Sequence, residues 1–305
     1  MRIISGTAKQ AEKRRLSFLF LCGLLFAVLL AGFRLIPNRW TITQYGSDTG
    51  PQKMFYTITD RRGRLVVVDG GWEEDAGDVA DVIRSLGGHV AAWIITHPHP
   101  DHVGAFNSIM AHLGDSGIRL DHVYTVGVRE ERYRETAKPY DDYGAFEKFK
   151  IHCENLGETV SFLSENDELD LIGLRMKVLS AWDERVDQFE NNECNNGSMM
   201  FRLDGRKNSM LFCADVQKEM EEYIIPAHKD ELKADVVQLG HHGNWGLTQE
   251  FYDIVSPSAA FFDAPASVID VTDASFDGWQ LRDALLDRGV TLYRYATAPN
   301  RIVLY

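Results

Sequence analysis

The stretch THPHPDHVG, residues 96–104, decides the fold prediction because it places three histidines and an aspartate within six positions. Histidine and carboxylate side chains are ligands of zinc and similar divalent ions. The two prolines restrict the backbone and favour extended geometry in the residues before them. The segment VAAWIITH, residues 90–97, is typical of a strand buried on both faces. The pattern predicts a metal site on a stiff loop where a buried strand ends.

The ligands of this motif fall into two sets. His97 and His99 lie two positions apart on an extended loop, so both side chains can point to one ion. Asp101 and His102 are adjacent, so their side chains diverge and can reach a second ion nearby. We expect one or two zinc ions, with manganese as the alternative.

This motif resembles H-x-H-x-D-H, the first metal motif of the metallo-β-lactamase superfamily, at every ligand position, and the resemblance runs from about residue 54 to the C-terminus. LFCADV resembles the family's strand that ends in an aspartate bridging two metals, which is Asp215 here. DVVQLGHHGNWG resembles the strand that delivers the last histidine ligand, His241 or His242. We favour His241 because it comes first after the apolar strand. Asp69, in VVVDGG, matches the family's early aspartate, which supports the metal loop from behind.

The resemblance implies an α/β fold, a four-layer αββα sandwich. The metal ligands it implies are His97, His99, Asp101, His102, Asp215 and His241. Two of these ligands, Asp101 and Asp215, are also expected to be catalytic, with Asp101 orienting the attacking hydroxide. The residues expected to contact the substrate or to support the ligands are Asp69, Asn195, Asn196, His242 and Trp245.

One segment departs from the family pattern. Many members have another histidine between the first motif and the bridging aspartate, but ENNECNNGSMMFRL, residues 190–203, contains none. The first metal, held by His97 and His99, then needs other ligands. The candidates are Asp215 with water, Asn195, Asn196 and Cys194.

The N-terminus carries an apolar run, LSFLFLCGLLFAVLLAGF, which spans residues 16–33 and has no charged side chain. A membrane-spanning helix needs about 17–25 such residues. Basic residues cluster before the run, which places the N-terminus in the cytoplasm. We therefore predict a cytoplasmic tail (1–15), a transmembrane anchor (16–33), a linker (34–53) and an extracellular metallo-hydrolase domain (54–305). A cleaved signal peptide is the alternative.

Charge restricts the class of substrate. Beyond residue 39 the chain has 25 basic against 44 acidic side chains, a balance of −19. Proteins that track a phosphate backbone normally present a basic surface, so a long nucleic acid is disfavoured as a partner. A cell-envelope polymer with cationic choline or amine groups, or a small phosphodiester, fits this charge better. Trp245 is placed to stack on such a cation.

The segment NNGSMMFRLDGRKNSMLFCADV followed by ADVVQLGHHG narrows the resemblance to two extracellular subgroups. One is the hydrolase domain of competence-type (ComEC-like) DNA-uptake membrane proteins. The other is the phosphorylcholine esterases that act on teichoic acids. Both cleave phosphodiesters, so a membrane-anchored phosphodiesterase that uses metal-activated hydroxide is the expected function. The alternatives are a lactonase or β-lactamase of the same superfamily, and a non-catalytic metal-binding or sensor module; no protein partner can be inferred.

Overall fold

The computed structural model describes residues 38–47, 49–272, 275–295 and 298–305. The predicted tail (1–15) and anchor (16–33) lie outside the described residues and stay predictions. Among the described helices, none combines the length and the apolar character that crossing a membrane requires.

Fifteen strands occur in the described residues, and they form two sheets. Their bounds are β1 (Trp40–Gln44), β2 (Phe55–Asp60), β3 (Leu65–Asp69), β4 (His89–Ile94), β5 (Arg119–Leu120), β6 (Val123–Val126), β7 (Val160–Leu163), β8 (Glu168–Leu171), β9 (Leu174–Ser180), β10 (Met200–Asp204), β11 (Ser209–Phe212), β12 (Val236–Gln238), β13 (Ala259–Phe261), β14 (Thr291–Tyr293) and β15 (Asn300–Leu304).

Helices cover the outer faces of these sheets. Within the described ranges they are α1 (Ala76–Ser85), α2 (Pro100–Ala111), α3 (Glu130–Thr136), α4 (Tyr143–Leu156), α5 (Glu193–Asn196), α6 (Glu221–His228), α7 (Gln249–Val255), α8 (Ala266–Ile269) and α9 (Gly278–Asp287). The predicted α/β sandwich of two sheets is therefore confirmed.

The first sheet has the order β15-β1-β2-β3-β4-β6-β7, with β5 paired to β4, and the second has the order β14-β13-β12-β11-β10-β9-β8. Strands β3, β4, β6 and β7 pair in parallel, as do β11, β12, β13 and β14. Neighbouring parallel strands run in the same direction, so their carboxyl ends lie side by side. Each sheet therefore has one end at which the carboxyl ends of several strands meet.

One part of the domain prediction is wrong. The segment 34–53, which we predicted to be a linker, contains β1, and β1 pairs antiparallel with β2 on one side and β15 on the other. Trp40 and Ile42 are buried, because β1 lies inside the sheet rather than beside it. The turn-forming residues that follow β1 gave this segment its linker-like composition.

The two faces of the first sheet belong to different cores, which explains why its central strands are apolar throughout. Val66 and Val68 face the second sheet, whereas Leu65 and Val67 pack under the helices on the outer face. Alternate residues of a strand point to opposite faces, so a strand covered on both sides needs apolar residues at successive positions.

Phe212 packs between the two sheets, so its replacement by a small residue should destabilise the fold. Its ring stacks on Phe201 at 4.8 Å and meets the edge of Tyr56 from the first sheet at 5.2 Å. We expect Phe212→Ala to lower the free energy of unfolding by about 3–5 kcal/mol, measured by urea denaturation, because a large cavity forms between the sheets. Phe162→Ala is the control, since Phe162 is 60% exposed. Equal losses from both substitutions would contradict this packing.

Candidate metal centre

The strand ends of both sheets bring polar side chains to one place. In the first sheet, Asp69 ends β3 and the chain leaving β4 reaches His97 after two residues. In the second sheet, Asp215 follows β11 and His242 follows β12. These four side chains are buried, at 0–2% exposure, although each is polar. The convergence that the sequence predicted for these segments is present in the structure.

Two overlapping groups of three side chains hold ligand atoms within 4.8 Å of one another. The first group is His97, His102 and Asp215, and the second is Asp101, His102 and His242. In the first group, Asp215 lies 3.8 Å from Nε2 of His97 and 3.3 Å from Nε2 of His102. Because His102 belongs to both groups, the two sets of ligands are contiguous.

Asp215 also reaches the second group, as expected of a bridging carboxylate. Its Oδ2 lies 3.3 Å from Nε2 of His242, and Oδ2 of Asp101 lies 3.0 Å from the same nitrogen. Asp101 is farther from His102, at 4.0 Å. In the described part of the chain, Asp215 is therefore the one acid that lies within 4 Å of all three histidines, His97, His102 and His242.

The choice of His241 over His242 differs from the structure and is revised. His242 is fully buried in the cluster, whereas the Nδ1–H of His241 donates to the carbonyl of Asn244 at 2.5 Å. Both histidines have left-handed backbone angles, with φ of 50° and 61°. Because of this turn, side chains no longer alternate between the two faces of the sheet as they do along β12. The second histidine, and not the first, therefore faces the cluster.

His99 lies beside the two groups rather than within them. Its ring centroid is 4.8 Å from that of His97, and its side chain is buried. Nε2 of His99 lies 3.2 Å from Oδ1 of Asp141, a residue that we did not predict for the site. Asp141 is 4% exposed and lies in a polar insertion. Nothing in the sequence distinguished it from the acids around it, because its approach to His99 depends on the tertiary fold.

Asp69 lies beneath the cluster and contacts one of its histidines. Its Oδ2 accepts a hydrogen bond from Nδ1–H of His102 at 2.8 Å. The backbone N–H and the hydroxyl of Thr96 donate to the two carboxylate oxygens at 2.8 and 2.7 Å. These bonds fix the ring of His102 with its Nε2 turned to the cluster.

We expect Asp69→Asn to weaken zinc binding by about 10–100-fold, because an amide cannot accept every bond that this carboxylate accepts. Competition with a chelating dye measures the affinity. Asp121→Asn is the matched control, since Asp121 also pairs with a histidine, His89, but on the surface. An unchanged affinity in Asp69→Asn would show that this carboxylate does not support His102.

The residues of the cluster fit a divalent cation. Three buried ligand-type atoms, Nε2 of His97, Nε2 of His99 and Oδ1 of Asp215, make no well-directed hydrogen bond among the described residues, although Oδ1 of Asp141 lies 3.2 Å from the second and Nε2 of His102 lies 3.3 Å from the third. Buried polar atoms are normally satisfied, so a group of unsatisfied nitrogens and oxygens on converging side chains needs an explanation. A cation bound by the group of His97, His102 and Asp215 would satisfy the atoms of His97 and Asp215, and His99 lies next to that group.

The electrostatics of the cluster agree with this fit. Burial opposes protonation of His102, but the carboxylates of Asp215 and Asp101 raise its pKa well above the usual value. The same two carboxylates outweigh burial at His242 and raise its pKa to about 10. Burial and the neighbouring His102 instead hold the pKa of His97 well below its usual value. The carboxylates thus attract positive charge into a buried site, and a divalent cation supplies that charge.

A cavity of about 390 Å³ opens over the cluster, and His99, Asp101 and Asp215 form part of its lining. Other residues that line the cavity are Gln52, Trp72, Asn192, Asn195, Gln217, His241 and Trp245. Trp245 is 49% exposed, and Oδ1 of Asn195 is buried without a partner in the described chain. His241, Asn195 and Trp245 are therefore placed to contact a substrate.

Asn196 has a different position from its neighbour. Its Oδ1 accepts the backbone N–H of Gln217 at 3.1 Å, and its side chain is not among those that line the cavity. The hydrogen bond connects the segment before β10 to the loop that carries Asp215. Asn196 supports the site and is not placed as a ligand.

The model of the metallo-beta-lactamase superfamily matches residues 50–257. ComE operon protein 3 of Bacillus subtilis (strain 168) is 23% identical over 279 residues, which are 83% of this chain and 32% of that protein. The chain thus spans about a third of the length of that relative.

Solved structures share the fold. The metallo-beta-lactamase fold protein YhfI from Bacillus subtilis matches with a TM-score of 0.53 and 10% identity, covering 86% of this chain and 99% of YhfI. CmlA, a diiron beta-hydroxylase from Streptomyces venezuelae, matches with a TM-score of 0.50 and 15% identity, covering 87% of this chain and 54% of CmlA. The family match covers more than half of the sequence, and the predicted resemblance is confirmed. The chain belongs to the metallo-beta-lactamase superfamily, whose members are mostly metal-dependent hydrolases.

Proposed function

We propose that this chain is a membrane-anchored, extracellular phosphodiesterase that depends on zinc. The observation that carries the proposal is the cluster of buried, unpartnered ligand atoms at the floor of an open cavity. A structural metal site is normally closed by protein ligands, whereas a catalytic site keeps access for water and substrate. The cavity provides that access beside Asp101 and Asp215.

Each side chain at the site has a part in this proposal. His97, His102, Asp215, Asp101 and His242 hold the metal, with His99 adjacent to them. A divalent ion in such a site supplies hydroxide at neutral pH and polarises a phosphoryl oxygen.

The chain itself positions the reacting groups. Asp101 has one oxygen 3.0 Å from Nε2 of His242 and lines the cavity, so it is placed to orient the attacking oxygen. Asn195 lines the cavity, and its side-chain amide N–H can donate a hydrogen bond to a phosphoryl oxygen. His241 also lines the cavity, and because its Nδ1–H is bound to Asn244, its Nε2 can accept a hydrogen bond from the substrate. Trp245 offers an exposed ring at the rim for a cationic group on the substrate.

Sequence features support a phosphodiester substrate over a lactone or a β-lactam. The segment before β10 has no histidine and carries the NNGS sequence, which resembles the two phosphodiester-cleaving subgroups. The acidic balance of −19 beyond residue 39 favours a small phosphodiester or a choline-bearing envelope polymer over a long nucleic acid.

The experiment is a substrate panel on the full-length chain, with and without a chelator. We expect hydrolysis of bis(p-nitrophenyl) phosphate that the chelator abolishes and that added zinc restores, with little turnover of a lactone or a cephalosporin. Faster hydrolysis of the lactone or the cephalosporin would overturn the phosphodiesterase proposal. A metal-loaded chain with no turnover of any substrate would favour the non-catalytic module instead.

The proposed anchoring has its own test. The uncharged run at residues 16–33 is long enough to span a bilayer, and the basic residues before it favour an external catalytic domain. We expect the full-length chain to remain in the membrane fraction after an alkaline wash, and protease added to intact cells to digest residues 54–305. Recovery of the chain in the wash would contradict the anchor.

A further inference from the structure

We propose that one end of this domain docks on a membrane surface by binding anionic phospholipid headgroups. Six exposed basic residues around the start of β1 form this surface, which we call the basic end: Arg39, Arg61, Arg62, Arg64, Arg206 and Lys207. The inference rests on the proposed anchoring and adds to it the surface that meets the lipid. It does not depend on the metal centre or on its chemistry.

The pairing of β1 with β2 brings three of these arginines together. Trp40, the first residue of β1, lies opposite Asp60, the last residue of β2. Arg39 precedes Trp40, and Arg61 and Arg62 follow Asp60 in the turn between β2 and β3. The three arginines therefore lie at neighbouring strand ends of the first sheet, and all three are exposed.

The second sheet adds two more basic residues at the same place. Arg206 and Lys207 lie in the turn between β10 and β11. The backbone N–H of Lys207 donates to the carbonyl of Tyr305 at 2.9 Å, and Tyr305 follows Leu304, the partner of Trp40 in the sheet. The turns of both sheets thus flank the start of β1.

The positive charge of the basic end is not neutralised by its surroundings. The acids in the same turns or next to them are Asp60, Asp170 and Asp204, and two of them already pair with arginines, Asp60 with Arg64 at 2.7 Å and Asp204 with Arg202 at 2.6 Å. Four exposed guanidinium groups have no acidic partner among the described residues, and they belong to Arg39, Arg61, Arg62 and Arg206. Six basic against three acidic side chains give a local balance of +3, whereas the chain beyond residue 39 has a balance of −19.

The basic end lies at the far end of the strands from the metal centre. Strand β3 separates Arg64 from Asp69, and β11 separates Lys207 from Asp215. The basic residues therefore lie at the amino ends of these strands, and the metal ligands lie at their carboxyl ends. Because of this separation, the basic end cannot guide an anionic substrate into the metal centre, so its charge fits a different anionic partner.

The length of the connecting chain favours a lipid surface as that partner. Residues 34–39 are the six residues between the predicted anchor and β1, and a chain of this length spans at most about 20 Å. On the proposed anchoring, the headgroups of the bilayer are then within reach of Arg39 and its neighbours. Anionic lipids attract basic side chains that come within a Debye length of the surface, about 8 Å at physiological ionic strength.

Docking in this way restricts the class of substrate. The carboxyl ends of β3 and β11, which carry Asp69 and Asp215, point away from the lipid surface when the basic end is bound to it. The metal centre then takes a phosphodiester from the envelope beyond the membrane. The headgroups of the bilayer that holds the chain are not its substrate.

The test is the rate at which a water-soluble acylating reagent modifies Lys207 in the full-length protein, measured by mass spectrometry. The protein is placed in nanodiscs of phosphatidylcholine alone or of phosphatidylcholine mixed with phosphatidylglycerol. We expect the anionic lipid to slow the modification of Lys207 by about fivefold or more, and high salt to remove this protection. Lys218 is the internal control, because it is exposed but lies three residues after Asp215, at the metal end of the domain.

A charge reversal in the β2–β3 turn identifies the surface that binds. The double variant Arg61→Glu, Arg62→Glu changes two exposed side chains, so it should keep the stability of the wild-type protein in urea. It should also lose the protection of Lys207 by phosphatidylglycerol. The control is the double variant Lys148→Glu, Lys218→Glu, which has the same change of charge on exposed side chains outside the basic end and should keep the protection.

The outcomes separate this inference from the proposed function. Equal modification of Lys207 in both kinds of nanodisc, with phosphodiester hydrolysis intact, overturns the docking surface and leaves the function standing. Protection that persists in Arg61→Glu, Arg62→Glu also overturns it. Equal protection by soluble polyphosphate in phosphatidylcholine nanodiscs would assign the basic end to an anionic polymer instead of a lipid surface.

A failure of the anchor is distinguished by flotation. If the alkaline wash releases the full-length chain, it is mixed with phosphatidylglycerol vesicles and centrifuged in a density gradient. Flotation that the Arg61→Glu, Arg62→Glu variant loses would support the basic end although the anchor is wrong. A wild-type chain that stays at the bottom of the gradient would refute the docking surface together with the anchor.

Discussion

Replacing Asp215 by asparagine is expected to abolish metal-dependent hydrolysis. Its carboxylate lies within 3.8 Å of Nε2 of His97, His102 and His242, so it is the side chain common to the whole cluster. The amide keeps the shape but removes the charge and one acceptor. Loss of outer partners of metal ligands typically costs about 10–100-fold, and loss of this shared ligand should exceed that range. The measurement is the rate of bis(p-nitrophenyl) phosphate hydrolysis with excess zinc.

A surface substitution of the same kind is the control for Asp215→Asn. Asp81 lies on α1, and its side chain is 75% exposed. Asp81→Asn should keep the rate and the stability of the wild-type protein. Urea denaturation of both variants separates loss of the site from loss of the fold. An Asp215→Asn protein with the full wild-type rate would show that this carboxylate is not a ligand.

The second large effect is expected from His242→Ala and not from His241→Ala. His242 lies 3.0 Å from Asp101 and 3.3 Å from Asp215, so its removal should reduce both metal content and hydrolysis by more than about 100-fold. His241 faces the cavity, so His241→Ala should retain its metal and lose activity only through weaker contact with the substrate.

Paired measurements on these adjacent histidines decide between the two assignments. Metal content is measured by elemental analysis, and kcat and KM are measured with saturating zinc. The opposite result, with metal lost in His241→Ala and retained in His242→Ala, would restore the assignment that the sequence favoured.

The two-sheet sandwich was predicted from a family resemblance, and that resemblance could be found because the features that carry it are local. The run from Val90 to Ile95 is apolar at every position, since one face packs on the second sheet and the other on helices. The motif after it contains its ligands within six residues, so their proximity did not depend on the rest of the fold. The positions of Asp69 and Asp215 at strand ends followed from the resemblance of short segments.

What the sequence did not predict depends on backbone turns and on distant packing. His242, rather than the predicted His241, faces the cluster because both residues adopt left-handed backbone angles. The strand pattern of the sequence does not reveal such angles. Asp141 reaches His99 across 42 positions of chain through the packing of an insertion. Strand β1 was missed because a short alternating segment, WTITQ, lies next to a turn-rich one.

The central claim is that distant segments of this chain bind divalent metal at one site, and metal content tests it most directly. Elemental analysis of the full-length protein, loaded with zinc and freed of excess ion, gives the number of ions per chain. We predict one or two zinc ions in the wild-type protein and a loss of bound zinc in Asp215→Asn and His242→Ala, with wild-type content in Asp81→Asn. A wild-type protein that retains no zinc, or an Asp215→Asn, His242→Ala double variant that retains all of it, would contradict the account.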